Sequence, residues 1–327
     1  MNEEKKDTSL KILIATLTRQ RPEMLSDLLT SWMGLDLPPG NEVCFLVVEN
    51  DDRPNSKKLV QSFLASDGSA QVQYVLETKL GIPFARNRVL EVARSDSMDL
   101  LCFIDDDEVV TKNWLIELLR EYRRSDAVLI GGPARPRRPV FPLKKAPEAI
   151  FVALELEDAR KERHWANKAK RADYSHITVG TYNWMLDLKA TRKLNPRFDE
   201  KMKWSGGSDA QFCADIISQG KSISWAPDAI VYETLPAERL TSYYILNTAR
   251  ERYKTYLVRK LRKNSLNAIY IAVLLPLKLA GILIALPVSV FKKQIWIKLL
   301  RACGWSWAVF DVLFRKPSRL YEKTTGY

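Results

Sequence analysis

Histidine is nearly absent from this chain. His164 and His176 are the only two in 327 residues, and the four cysteines, Cys44, Cys102, Cys213 and Cys303, lie far apart. Without a CxxC pair, a zinc or dithiol centre lacks its ligands, and buried reduced cysteines are the better reading; both histidines are left as structural. Neither GxGxxG nor GxxxxGK[ST] occurs, so neither a dinucleotide fold nor a P-loop is signalled. Met1–Ser9 is polar and charged with no apolar signal-peptide core, so the catalytic portion is expected to stay in the cytosol. Acidic residues run short over 239–327, where 17 Lys and Arg face 3 Asp and Glu, although the whole chain carries only +12. The basicity is therefore local, which argues against a protein that coats nucleic acid.

What the chain does have is a succession of short apolar runs separated by amphipathic stretches. Lys11–Thr18, Val43–Val48, Val72–Leu76, Leu100–Ile104 and Ala127–Ile130 read as strands. Between them, helical spacing appears from Met24 to Trp32, from about Asn55 to Leu64, through Val89, Leu90 and Val92, and at Asn113–Arg124. Strands alternating with helices of this length indicate βαβ units and a parallel sheet. Farther on, Arg135–Pro147 reads as a loop, Ala149–Ala169 as a helix and Thr178–Leu188 as a strand.

One run ends in four consecutive acids, Asp105, Asp106, Asp107 and Glu108. Placed at the carboxyl end of a buried strand, they occupy the edge where open α/β sheets bind ligands. Carboxylates this close repel one another unless a cation sits among them, and Mg²⁺ or Mn²⁺ with a substrate phosphate suits oxygen ligands. The plainer alternative is a solvated acidic turn before the next helix. A second strand also ends in polar groups, Glu49, Asn50, Asp51 and Asp52.

These residues carry a resemblance. Thr18…Arg21-Pro22, Val48-Glu49-Asn50-Asp51, Ala85-Arg86-Asn87, Phe103-Ile104-Asp105-Asp106-Asp107, Gly180-Thr181-Tyr182-Asn183, Phe198-Asp199-Glu200 and Gly206-Gly207-Ser208-Asp209 follow one another from Lys11 to about Glu233. In order and spacing the chain resembles the inverting glycosyltransferases of family 2, most of all bacterial exopolysaccharide glucosyltransferases of the succinoglycan type. The resemblance implies the α/β GT-A nucleotide-diphospho-sugar transferase fold, a mostly parallel Rossmann-like sheet flanked by helices. It implies a catalytic domain over 1–237, with a donor-binding half at about 10–133 and an acceptor half at about 134–237.

It also implies roles. Asp105, Asp106 and Asp107 would form the DxD element, with Asp105 toward the ribose and Asp107, aided by Asp105, on a divalent Mg or Mn ion. Thr18, Glu49, Asp51, Arg86 and Asn87 would complete the nucleotide-sugar site. Glu49 stands where the family more often has Asp. Asp209 would be the general base, preceded by Ser208 where the family usually has Glu. Gly206, Gly207 and Trp204 would face the acceptor; Trp184 and Trp225 are read as core. Plainer readings stay open: a salt bridge for Arg86, and helix N-caps for Asn87, Ser208 and Asp209.

The region 238–327 is the second signal. Glu238–Lys263 is a basic helix rich in tyrosine, and Ala268–Val290 is apolar apart from Tyr270, Lys278 and Ser289. That length nominally spans a bilayer. Lys278 near its middle and basic flanks on both sides favour instead a re-entrant or in-plane helical pair on a cytoplasmic, anionic surface. Ile295–Phe314 places Trp296, Leu299, Leu300, Cys303, Trp307 and Phe310 on one face, as an interfacial helix does. A helical subdomain packing these faces on the catalytic core is the alternative. The expectation is thus an enzyme at the cytoplasmic face of a bacterial inner membrane, taking a nucleotide-sugar donor and a lipid-linked saccharide acceptor. A nucleotidyltransferase and a non-catalytic membrane-associated protein of the same fold are the rivals.

Overall fold

A computed structural model describes residues 9–67, 72–139, 142–171, 179–264, 267–289 and 293–318. His176 lies outside the described residues. The main sheet has seven strands in the order β3-β2-β1-β4-β8-β6-β9: β1 is Lys11–Thr18, β2 Glu42–Glu49, β3 Val72–Leu76, β4 Leu100–Asp105, β6 Leu129–Gly131, β8 Asn183–Asp187 and β9 Ile223–Trp225. All pairings are parallel except those of β8, which runs antiparallel between β4 and β6. A strand expected on the acceptor side is therefore hydrogen-bonded inside the same sheet as the donor strands.

The strands β1 and β4 are buried on both faces, which explains their unbroken apolar runs. Ile12, Ile14, Leu100, Cys102 and Ile104 face one layer, with Leu25, Leu28 and Trp32 of α1 (Pro22–Met33) and Trp114 and Leu118 of α4 (Trp114–Arg124). Leu13, Ala15, Leu101 and Phe103 face the other, with Val89 and Leu90 of α3 (Ile82–Ser95) and Phe212 and Ile216 of α6 (Ser208–Ser218). The helix α2 (Lys57–Asp67) begins two residues later than the apolar spacing implies. Trp184 is core, stacked on Phe103 at 5.5 Å, and Trp225 is buried as well.

A second sheet escaped the sequence reading. Its order is β5-β10-β7, built from β5 (Glu108–Val110), β7 (Ala134–Arg137) and β10 (Val231–Thr234). β7 begins the Arg135–Pro147 segment expected to be a loop; three or four residues without alternation give too weak a period to see.

The remaining helices are α5 (Lys145–Lys170), α7 (Ser242–Lys263), α8 (Asn267–Ser289) and α9 (Lys293–Leu313). α8 is one continuous helix containing Pro276 and Pro287, not the expected helical pair. Among the described residues it alone is long and apolar enough to cross a membrane. Its Lys278 is not isolated: Nζ lies 4.5 Å from the ring centre of Trp305 on α9. On α9, Ile297, Leu300, Trp305, Ala308 and Val309 pack inward, whereas Trp307 and Phe310 stay about half exposed. The interfacial face and the packing face are thus separate. Arg301 of α9 pairs with Glu157 of α5, and Arg250 of α7 donates to Asp311 of α9 at 2.5 and 2.9 Å.

Candidate active site

The order β2-β1-β4 turns the chain both ways from β1, and the carboxyl ends of these strands meet there. Thr18 pairs in register with Glu49, and Leu17 with Asp105. Such a switch point is where open α/β sheets leave a crevice. The antiparallel pairing of β5 with β10 sets Glu108 opposite Glu233, and Thr234 N–H donates to the Asp107 carbonyl at 2.8 Å. The second sheet therefore fixes the turn that carries the acids.

Asp106 is satisfied internally. It accepts from Thr18 Oγ1 at 2.8 Å and from Arg21 Nη1 at 2.7 Å. Thr18, 2% exposed, spends its hydroxyl proton on Asp106. Asp107 Oδ2 lies 2.9 Å from Arg239 Nη2 and 3.4 Å from Arg21 Nη1. The half-buried Asp105 has its carboxyl pushed up to about 7, first by burial and then by the Asp107 charge, against the pull of Arg86. Glu233 is likewise raised to about 7, by burial and by Asp107, and opposed by Arg239. Glu108 is raised too, chiefly by burial, while accepting from the Asp105 N–H at 3.0 Å.

An excess of buried carboxylates over guanidinium groups suits a hard cation with oxygen ligands. Among the described residues no three acidic, histidine or cysteine side chains are grouped to hold one unaided. Two carboxylates with phosphate and water as further ligands is the usual manner of Mg²⁺ at phosphate sites. The carboxylates of Asp105 and Asp107 are oxygen donors of the kind such an ion takes.

At the β2 end, Glu49 has no exposed surface. Its carboxylate accepts from Ser56 N–H and Oγ, each at 3.0 Å, and from the Tyr74 hydroxyl. These bonds tie Glu49 to the turn that leads into α2. Asp51 accepts from Gln20 Nε2 at 3.0 Å and from the Asp52 N–H at 2.9 Å. Burial works against its ionisation, yet these bonds and Arg19 hold its carboxyl below the ordinary value.

Arg86 and Asn87 part company. Asn87 is 2% exposed, donates to the Phe198 carbonyl at 3.0 Å and accepts from the Phe198 N–H at 2.8 Å. It pins the 198–200 turn and does not cap α3, whose cap is Gly81. Arg86 packs over the Phe198 ring at 5.4 Å and donates from Nη1 to Ser208 Oγ at 2.9 Å; its buried Nε has no partner. It stands between Asp105 and the start of α6.

There the cap is Gly207, with φ of 81°, so the N-cap readings of Ser208 and Asp209 fall. Gly206 and Gly207 are both in the left-handed region that side chains avoid, and they let the chain enter α6 directly behind the acceptor loop. Asp209 accepts only the N–H of its neighbour Ala210, at 2.8 Å, among the hydrogen bonds described. It lines a small, partly open cleft together with Arg86, Lys203, Gly206, Gly207 and Ser208. Trp204 is half-buried, and Lys203 Nζ covers one face of its ring at 4.8 Å. Tyr182, unassigned from sequence, links the two ends. Its hydroxyl is raised by burial and by the charges of Glu108 and Asp209. Its neighbour Asn183 is a hub, accepting from Trp114 Nε1 at 2.9 Å and donating to the Pro133 and Ala229 carbonyls.

Arg21 was visible in its motif without a role; Arg239 gave no signal, because no pattern in its own segment points to Asp107. A further unforeseen link is Thr255 of α7, whose Oγ1 donates to the Ser205 carbonyl at 2.7 Å.

This arrangement has counterparts. The succinoglycan biosynthesis protein ExoM of Rhizobium meliloti (strain 1021) is 29% identical over 248 residues, covering 76% of this chain and 73% of that protein. The structure of the mannosyltransferase PcManGT from Pyrobaculum calidifontis, in complex with GDP-Man and Mn²⁺, superposes with a TM-score of 0.66 at 13% identity, over 94% of this chain and 88% of that one. That similarity shows the GT-A fold. The sequence model of the family described as glycosyl transferase family 2 matches residues 12–193, which include every donor-side acid and stop short of Asp209. Over half of the chain is covered by that match, and the protein belongs to glycosyl transferase family 2.

Proposed function

We propose that this glycosyltransferase moves glucose from UDP-glucose to a saccharide carried on a membrane lipid, in the assembly of an exopolysaccharide or another cell-surface glycan. The observation that carries the reading is Arg86, which lies within electrostatic reach of Asp105 and hydrogen-bonds Ser208 beside Asp209. This one side chain relates a donor-side acid to the segment that carries the candidate base, which supports a shared site. The choice of UDP-glucose and of the glycan rests on the resemblance to succinoglycan-type enzymes and on the ExoM match.

In the proposed reaction Asp209 accepts the proton of the acceptor hydroxyl while that oxygen attacks the anomeric carbon. The bond from that carbon to the diphosphate oxygen breaks on the opposite side, so an α-linked donor yields a β-glycoside. Asp105 and Asp107 would hold the divalent ion. When bound, that ion supplies neutralising charge to the diphosphate leaving group. Asp51 is the remaining polar side chain of the β2 end for the base, since Glu49 is committed. Gly206 and Gly207 leave the cleft open to a sugar, and Trp204 offers it an apolar surface.

The C-terminal region would hold the enzyme on an anionic membrane surface, at the cytoplasmic face. Support comes from outward Ile269, Val273, Leu277, Leu283 and Ile284 on α8, and from Trp307, Phe310 and Phe314 at α9. An exposed apolar surface this extensive marks an interaction site. A thermal-shift screen of UDP-, GDP- and dTDP-sugars with Mn²⁺ selects the donor. Labelled donor then tests the reaction: release of nucleoside diphosphate with glycosylated lipid supports it, whereas no transfer from nucleotide sugar, with pyrophosphate released when nucleoside triphosphate and sugar 1-phosphate are supplied instead, replaces it with nucleotidyl transfer.

A further inference from the structure

Arg239 ends the short 3-10 turn Ala237–Arg239 that leads into α7. Its Nη2 lies 2.9 Å from Asp107 Oδ2 and its Nη1 donates to Glu233 Oε1 at 3.0 Å. The same Asp107 oxygen has a second guanidinium, that of Arg21, at 3.4 Å. The two arginines are not held alike. Arg21 also binds Asp106 at 2.7 Å and sits just before α1, in the turn that β1 feeds. Arg239 ends a three-residue turn; it also binds Glu233, and of the two arginines it lies nearer to the Asp107 oxygen, 2.9 against 3.4 Å.

A divalent ion binds a carboxylate oxygen at about 2.0–2.2 Å. An ion at Asp107 Oδ2 would then face a guanidinium nitrogen that is 2.9 Å from that same oxygen. Two positive centres so close repel each other. Ion and guanidinium therefore compete for that oxygen. A diphosphate offers the displaced guanidinium a new partner on the same side, since the planar fork of Arg matches phosphate oxygens in pairs.

We infer that Arg239 competes with the divalent ion for Asp107 and passes to the donor diphosphate when the ion binds. The inference rests on the nucleotide-sugar reading above for its ligand class. Arg239 then belongs to the donor site although it lies beyond the catalytic motifs, and the C-terminal region contributes a donor-binding group.

The test uses the full chain and the variants Arg239→Gln and Arg239→Lys. Free Mn²⁺ is measured by electron paramagnetic resonance without nucleotide, and UDP and GDP binding by calorimetry at saturating Mn²⁺. The expected result for Arg239→Gln is Mn²⁺ binding at least about threefold tighter and nucleoside-diphosphate binding about tenfold or more weaker, the scale of one charge-assisted hydrogen bond. Arg239→Lys should fall between, because it keeps the charge and loses the fork. Unchanged or weaker Mn²⁺ binding in Arg239→Gln, or unchanged nucleotide binding, overturns the inference. If Arg239→Gln does not fold, Arg239→Lys decides: nucleotide binding weakened at least about threefold supports the claim, and wild-type affinity overturns it. Wild-type protein that binds neither UDP nor GDP with Mn²⁺ sinks the donor reading and this inference together, an outcome distinct from failure confined to the variants.

Discussion

Thr255 donates its hydroxyl to the Ser205 carbonyl at 2.7 Å, so a helix beyond the catalytic motifs holds the loop that precedes Asp209. Ser318 adds a weaker bond to the same carbonyl at 3.4 Å and a second to Glu251 at 2.9 Å. Replacing Thr255 by Val keeps the shape and removes the bond. The loop through Gly206 and Gly207 should loosen, at a cost of about 0.5–1.5 kcal/mol. Steady-state kinetics should then show an acceptor KM raised up to about tenfold, with donor affinity by calorimetry unchanged. A change in donor affinity alone would mean that the bond serves the other half of the site.

Asp209→Asn retains the side chain's size and the bond from the Ala210 N–H while removing the proton acceptor. Transfer should fall by about 10²–10⁴-fold, the usual contribution of a positioned base. Nucleotide binding should stay within about twofold of wild type. Full transfer activity in this variant would remove Asp209 from the reaction.

Asp311 supplies a pH test of the C-terminal packing. Hydrogen bonds from Arg250 outweigh burial, and with Lys254 and Lys316 they hold its carboxyl below the ordinary value of 3.8. A carboxyl lowered in the folded state contributes stability that is present above the unfolded value and lost as pH falls through the folded one. Asp311→Asn should therefore cost about 1.5–3 kcal/mol near neutrality, with the difference from wild type shrinking below about pH 4. Denaturant melts at pH 7 and pH 3 check this. An equal difference at both would assign the loss to packing.

Trp307 and Phe310 are 49% and 46% exposed on α9, beside the outward face of α8. Changing both to Ser removes the Trp307 ring from beneath the Arg250 guanidinium, 4.2 Å away, so the melting temperature should fall modestly, by the scale of one cation–π contact. Binding to vesicles containing phosphatidylglycerol should weaken at least about tenfold, since each partly buried aromatic contributes roughly 1 kcal/mol or more. Flotation with anionic and with neutral vesicles separates the apolar part from the charged part. Undiminished flotation of the double variant would place the contact on α8 alone.

The sequence made the main sheet legible because buried parallel strands leave continuous apolar runs, as in Leu100–Ile104. It made Asp105–Asp107 legible because acids stand out at the end of such a run, whereas Asp209 is singled out only through the family resemblance. The second sheet was hidden, since Glu108–Val110 and Val231–Thr234 are too short for a period. Side-chain commitments were hidden for another reason. Glu49, Thr18 and Asn87 look like ligand groups in one dimension, yet Ser56, Asp106 and Phe198 hold them from distant segments. Arg239 and Thr255 were invisible because their partners, Asp107 and Ser205, lie 132 and 50 residues away. The α9 face failed in part because a helix that touches two neighbours spreads its apolar residues over more than one stripe: Leu300 packs toward α5, whereas Trp305 packs near α8.

The attachment of α7 at Ser205, and of the turn before it at Asp107, bears on how the protein can be handled. A shortened version ending near residue 237 would shed Arg239 and Thr255 along with the greasy surface, and inactivity in such a fragment would say nothing about lipids. The segment to excise for a water-soluble preparation is α8, with α7 and α9 rejoined by a hydrophilic linker so that the bond from Arg250 to Asp311 survives.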